Sequence, residues 1–202
     1  MSAAVTHRGP DDDGAYRSHE HDHSRNFPAV SLATRRLSIV DVAAGHQPML
    51  SDVAVVIFNG EIYNHVELAN QLREVGVAFT TQSDTEVLLK GYQTWGWDEL
   101  LSRLNGMFAF AIADLKENIL FLARDRFGEK PLFFFETKEN FYFSSEVKGL
   151  NNLPELDREI DHQALVQFLG SNYIPGNRTL FQSIRKLLPA HQMTISKNNT
   201  QT

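Results

Sequence analysis

The chain has 202 residues, a formal net charge of −6 and no cysteine, which bounds it to one medium domain, or one domain with a short extension. The negative charge argues against a nucleic-acid partner, which calls for a basic patch, and the lack of cysteine excludes a disulfide framework and fits a reducing compartment. Apolar residues at 42% and 14 Phe suffice for a packed core, yet no run approaches the roughly 18 apolar residues of a membrane span and residues 1–13 lack the apolar stretch of a signal peptide, so no membrane is expected and the cytoplasm is the default location.

Residues 1–17 read as a turn-rich entry, with Gly9-Pro10-Asp11 and Gly14 as breakers. Residues 18–28 form a polar, His-rich insert without periodicity. Val30–Val40 reads as a strand and Asp41–Pro48 as a loop. Val53–Phe58 is continuously apolar and largely β-branched, the mark of a buried strand. A tight polar turn at Asn59-Gly60 is expected next, then a helix to about Gly76 with Asn64 as N-cap and Val66, Leu68, Ala69, Leu72 and Val75 at helical spacing.

Val77–Thr81 reads as a short extended piece. Ser83 and Glu86 then have the spacing of a capping box at the start of a second helix, which Gly96 ends. A short helix is expected over Asp98–Leu104. Four apolar runs follow, Met107–Asp114, Asn118–Arg124, Leu132–Thr137 and Phe141–Ser144, close enough in sequence for antiparallel hairpins. The bulky run Leu132-Phe133-Phe134-Phe135 suggests burial on both faces. Asn151–Pro154 looks like a linker, and Asp161 should cap a helix that carries apolar Leu165, Val166 and Leu169 and ends at Gly170.

Three features invite a chemical reading. Asn59-Gly60 could aim a side-chain amide and a backbone N–H at one point, as an oxyanion-stabilising pair requires, although Asn-Gly is also a common turn dipeptide. His19-Glu20-His21-Asp22-His23 would place three imidazoles on one face of a strand. Imidazoles suit zinc or nickel, but nothing completes a site, and the segment reads as a solvated loop with no metal. Arg124-Asp125-Arg126-Phe127-Gly128 with Lys130-Pro131-Leu132 reads as a turn that locks two strands.

Taken in order, His7-Arg8-Gly9-Pro10-Asp11-Asp12, Arg36-Leu37-Ser38-Ile39-Val40-Asp41, Gln47-Pro48, Phe58-Asn59-Gly60-Glu61-Ile62-Tyr63-Asn64, Ser83-Asp84-Thr85-Glu86, Gly106-Met107-Phe108-Ala109-Phe110, the Arg124–Leu132 block and Ser144-Ser145-Glu146-Val147-Lys148 resemble the glutaminase domain of class II glutamine amidotransferases. The wording is nearest to the glutamine-hydrolysing asparagine synthetase family. The resemblance implies an α+β fold, the four-layer αββα sandwich of N-terminal nucleophile hydrolases, here short of its first strand and helix. It implies an amidotransferase domain over residues 1–150, and over 151–202 a linker and the entrance to a synthetase domain.

The resemblance also assigns roles. Arg36 would clamp the α-carboxylate of L-glutamine, whose shape a guanidinium matches bidentately. Leu37, Ser38, Ile39 and Val40 would line the pocket, Asn59 and Gly60 would form the oxyanion hole, and Glu61 with Asp84 would hold the α-ammonium. The family's nucleophile is an N-terminal Cys whose thioester with glutamine is hydrolysed, releasing ammonia to amidate aspartate. No Cys stands in these 202 residues. Ser2 stands just before the His7-Arg8-Gly9-Pro10 block, not ahead of an apolar strand, so it is not expected to replace it. The chain is therefore expected to bind glutamine and not to hydrolyse it efficiently. No cofactor is expected for this domain; ATP and Mg belong to the synthetase domain of intact relatives. A homodimer through the glutaminase domain is the expected assembly. The alternatives are a non-catalytic glutamine-binding or interaction module, or an amidotransferase of a different acceptor.

Overall fold

The structure, a computed structural model, describes residues 2–9, 11–18, 29–36, 45–196 and 199–202. A helical turn (Ser2–Arg8) precedes β1 (Asp12–Arg17), β2 (Ser31–Arg36), β3 (Met49–Leu50) and β4 (Ala54–Ile62). Helices α1 (His65–Glu74), α2 (Asp84–Trp95) and α3 (Trp97–Arg103) lead to β5 (Gly106–Asp114), β6 (Ile119–Arg124), β7 (Phe133–Glu136) and β8 (Phe141–Ser144). Then come α4 (Val147–Leu150), α5 (His162–Ser171), β9 (Arg185–Lys186), β10 (Gln192–Ser196) and β11 (Asn199–Gln201).

The strands form a six-stranded antiparallel sheet, ordered β11-β10-β6-β5-β4-β3, and a second layer in two pieces, β1-β2 and β8-β7-β9. Alternation of side chains along β4 and β5 sorts them into layers. Val56, Phe58, Ile62, Phe108, Phe110 and Ile112 pack on Leu68, Leu72, Leu88 and Leu100 of α1–α3. Val55, Ile57, Ala109, Ala111 and Ala113 face the other way, toward Leu32 of β2 and Phe143 of β8. Behind β7 and β8, Phe135 and Tyr142 pack on Leu150, Leu156 and Ile184. The result is helix, sheet, sheet, helix: the expected αββα sandwich. Residues 151–202, expected to lead into a synthetase domain, return to both sheets, β9 pairing with β7 and β10 with β6.

Several local expectations are corrected. The entry segment is not all turn: β1 pairs along its whole length with β2, from Asp12 with Arg36 to Arg17 with Ser31. Tertiary pairing overrides its low strand propensity. There is no turn at Asn59-Gly60. β4 runs through it, with Asn59 opposite Ala109 and Gly60 opposite Phe108, and the chain turns only at Tyr63-Asn64. Asn64 is the N-cap residue of α1 as expected, but its side chain makes no cap bond; it accepts from the Asn105 N–H and donates to the Arg103 carbonyl, tying the start of α1 to the end of α3. The capping box is half made. Ser83 Oγ accepts the Glu86 N–H, but the Glu86 carboxylate goes instead to the amides and hydroxyls of Thr80 and Thr81 at 2.6–3.1 Å.

Helix α5 is capped as expected, the Ala164 N–H donating to Asp161, but only Ala164 is buried. Val166 and Leu169 are 70% and 73% exposed. Arg178 reaches Asp161 and Gln163 at the start of the helix, at 3.4 and 2.6 Å. The helix also runs one residue past Gly170, to a left-handed cap at Asn172.

The corner after β6 carries the buried polar centre of the fold. The Asp125 carboxylate is fully buried and accepts the N–H groups of Phe108, Phe127, Glu129 and Lys130 at 3.0–3.2 Å. Burial alone would raise its pKa; the amides, Lys130 first, outweigh it and hold it below the usual carboxylate value. Arg124 donates to the carbonyls of Gly128, Lys130 and Leu187 at 2.6–2.7 Å. These two side chains lock β6 to the turn and to the approach to β10.

Candidate functional site

The two β layers enclose a cavity of about 1350 Å³, reached by Asn59, Gly60, Glu61, Asp84, Gln47 and Thr85 at one end. Of the expected glutamine-pocket residues, these first four are brought together. Arg36 ends β2, opposite Asp12; Leu37, Ser38, Ile39 and Val40 lie outside the described residues, as do His19, His21 and His23.

Strand parity decides what the pocket presents. Phe108 turns both of its backbone groups to the β6 side: its carbonyl accepts the Asp125 N–H and its N–H donates to the Asp125 carboxylate. Residues paired with it and every second residue along β4 therefore turn their N–H groups away from β5. Three of these are Phe58, Gly60 and Ile62. Phe58 N–H donates to Gln47 Oε1 at 2.7 Å, and Ile62 N–H donates to Asp84 Oδ2 at 3.2 Å. Gly60 N–H lies between them on an edge that β3, whose pairing reaches only to Met49–Val56, does not cover. Asn59, one residue out of phase, turns its side chain into the cavity, where Nδ2 meets Ser145 Oγ at 3.4 Å.

The acidic side is built into the first turn of α2. Asp84 is only 6% exposed. Burial raises its pKa, with the Ile62 N–H and the nearby His65 pulling the other way. Thr85 Oγ1 accepts from Gln47 Nε2 at 3.1 Å. Gln47 thus braces β4 against α2, a role that its place in the Gln47-Pro48 motif did not reveal. Sequence reading also passed over the contacts of the helical turn. Glu146 accepts from His7 Nε2 and Arg8 at 3.0 Å each, and Lys148 Nζ meets His7 Nδ1 at 3.2 Å. Burial raises the Glu146 pKa, but its Arg8 and His7 partners together bring it below the usual value.

A family model described as a glutamine amidotransferase domain matches residues 1–202. The chain belongs to that family. It is 42% identical to asparagine synthetase [glutamine-hydrolyzing] 1 of Bacillus subtilis over 197 residues, which is 96% of this chain and 29% of that protein. It is 43% identical to a putative asparagine synthetase [glutamine-hydrolyzing] of Mycobacterium bovis, over 92% of this chain and 29% of that protein. The chain thus spans about 29% of the length of these curated relatives. Among solved structures, glutamine phosphoribosylpyrophosphate amidotransferase from B. subtilis superposes with a TM-score of 0.63 at 18% identity, covering 98% of this chain and 44% of that one. That likeness shows the fold, an N-terminal nucleophile hydrolase-like sandwich. This amidotransferase domain is homologous to those of asparagine synthetases.

Proposed function

We propose that this amidotransferase domain binds L-glutamine at the Asn59–Asp84 end of the cavity and, as a 202-residue chain without cysteine, does not turn it over. The observation that carries the reading is the open edge of β4. Gly60 N–H is flanked by two amides already satisfied by Gln47 and Asp84, with the Asn59 amide one residue away. Two donors of this kind suit the side-chain carbonyl of an amide substrate. Glu61 and Asp84 supply negative charge for an α-ammonium, and Arg36 is the residue proposed for the α-carboxylate. In relatives with a Cys nucleophile, the same arrangement would deliver ammonia to an acceptor, aspartate in the asparagine synthetase reading.

Titration calorimetry with L-glutamine tests this. Saturable binding is expected, together with no ammonia release above the uncatalysed rate; absence of binding by the folded chain would sink the proposal. Asp84→Asn should weaken glutamine by about 2 kcal/mol, roughly 30-fold, because a charge-assisted contact is lost. The pH dependence follows from the same residue. Its pKa in the free protein is raised above 3.8, and the bound ammonium requires the carboxylate. Affinity should therefore be full above that raised value and fall as pH drops through it, at a higher pH than for an ordinary aspartate. Affinity in Asp84→Asn should lack this limb.

A further inference from the structure

The chain holds two Asn-Gly dipeptides, Asn59-Gly60 and Asn105-Gly106. When glycine follows asparagine, no Cβ shields the main-chain nitrogen from the side-chain amide before it, and the two can react. Only the first dipeptide lies in the pocket. The second stands between α3 and β5, with Asn105 exposed. The fold demands glycine there too: a Cβ on Gly106 would stand 2.2 Å from the Glu61 carbonyl oxygen and 3.0 Å from Ile62 Cα, both backbone of the paired strand.

Asn105 is held only through its backbone. Its N–H donates to Asn64 Oδ1 at 3.0 Å and its carbonyl accepts the Tyr63 N–H at 2.8 Å, but among the described residues its side-chain amide has no hydrogen bond. Because the Asn105 carbonyl turns to β4, the Gly106 N–H turns to the opposite side. β6 pairs with β5 only from Ala109 onward, so no strand reaches that N–H. Nucleophile, amide and water thus meet at the last rung of the β4–β5 ladder. Attack requires the extended backbone to turn at the asparagine, so local opening sets the rate. At Asn105 that opening breaks the Tyr63 and Asn64 bonds at a strand end. At Asn59 it would part β4 from β5 in mid-ladder, opposite Ala109, between Phe58 and Ile62 whose amides are held by Gln47 and Asp84, and would free Nδ2 from Ser145.

We infer that Asn105 is a site of spontaneous covalent modification, converted to aspartate and isoaspartate in the folded chain while Asn59 is preserved. The deprotonated Gly106 nitrogen attacks Asn105 Cγ. The new N–Cγ bond forms, the Cγ–Nδ2 bond breaks, and the proton lost by Gly106 is returned to Nδ2, which leaves as ammonia. Water then opens the succinimide ring. Opening at the side-chain carbonyl gives aspartate; opening at the main-chain carbonyl gives isoaspartate, which carries the chain through its side chain and inserts a methylene before Gly106. Gly106 is already in backbone contact with β4, so the rung cannot absorb that methylene. Tyr63 N–H loses its acceptor and the Ile62–Gly106 end of the ladder frays. This inference does not rest on the glutamine reading.

Peptide mapping of the full 202-residue chain, aged at physiological temperature in mildly alkaline buffer, tests it. The same chain in urea, where neither dipeptide is protected, is the reference. In the folded chain Asn105 is expected to convert at least about tenfold faster than Asn59. Both aspartate and isoaspartate should appear, told apart by electron-transfer fragmentation. Hydrogen exchange at the Tyr63 amide should rise about tenfold in the aged chain. Asn105→Gln, whose longer side chain must close a larger ring, should age with no change at that amide. Asn105 staying intact while the urea reference converts would overturn the proposal, as would Asn59 keeping pace with it in the folded chain. So would aspartate without isoaspartate, which means direct hydrolysis, or an equal rise at Tyr63 in aged Asn105→Gln, which places the cause elsewhere. Glutamine binding is read separately by calorimetry, so failure of one proposal is not mistaken for failure of the other.

Discussion

Gly60→Ala should lower stability by about 3–5 kcal/mol and abolish glutamine binding in whatever fraction still folds. Gly60 has φ +148°, and a Cβ placed there would stand 2.0 Å from the Met107 carbonyl oxygen and 2.8 Å from the Phe108 Cα. Both obstacles are backbone of the paired strand, so neither yields without breaking the β4–β5 ladder at the pocket. With a urea m-value of about 2 kcal/mol/M, the denaturation midpoint should fall by roughly 2 M. Gly76→Ala supplies the control: its φ is +90°, but nothing lies within 4 Å of the added carbon. It should cost only about 1–2 kcal/mol and leave binding intact. Equal losses in the two variants would show that the conformation, not the close approach of β5, makes glycine necessary.

The second large effect is expected at Asp125→Ala. Four N–H groups lose their acceptor at once, three of them in the turn and one belonging to Phe108 near the start of β5. An unpaired buried amide costs about 1–3 kcal/mol, partly recovered by relaxation and entering water, so a net loss of about 4 kcal/mol is expected. Asp125→Asn keeps an acceptor oxygen and should lose about half of that. The acid limb of stability offers an independent reading. The pKa of Asp125 is lowered in the fold, so its contribution is full above the unfolded-state value and is lost as pH falls through the folded one. Glu86 behaves alike: burial raises its pKa, but bonds from Thr80 and Thr81 together bring it below the usual value. In Asp125→Ala the midpoint should fall less steeply between about pH 5 and pH 2 than in the parent chain.

Much of the fold could be read from patterns that depend on local residues. The four apolar runs from Met107 to Ser144 became β5–β8, because bulky residues flanked by turn formers leave little choice but hairpins. Where sequence reading failed, a distant partner decided. β1 looks like turn until β2 lies beside it, and Asn59-Gly60 looks like a turn until β5 is seen to need a glycine opposite Phe108. Glu86 was expected to close a capping box and instead satisfies Thr80 and Thr81, a competition between acceptors that spacing cannot rank. Helical spacing of Val166 and Leu169 gives an apolar face, but not what covers it. Asn59, Gly60, Glu61 and Asp84, named by motif, do line one cavity, whereas the role of Gln47 needed coordinates, since one glutamine in a loop carries no sign that both ends of its amide are committed.

That committed amide has a consequence for reading any mutational survey of this domain. Gln47 joins Phe58, in the middle of β4, to Thr85, and Asp84 joins the same strand through Ile62, while Val87 and Leu88 one turn on are sunk in the main core. The floor and acidic wall of the pocket therefore have no low-energy way to open apart from the core. Amides of Phe58 and Ile62 should exchange with solvent only when the whole domain unfolds. Substitutions far away, at Leu72 or Leu100 for instance, will then register as loss of ligand affinity near the melting point without touching ligand. Affinity changes in this domain become interpretable only once each variant's unfolding free energy is known.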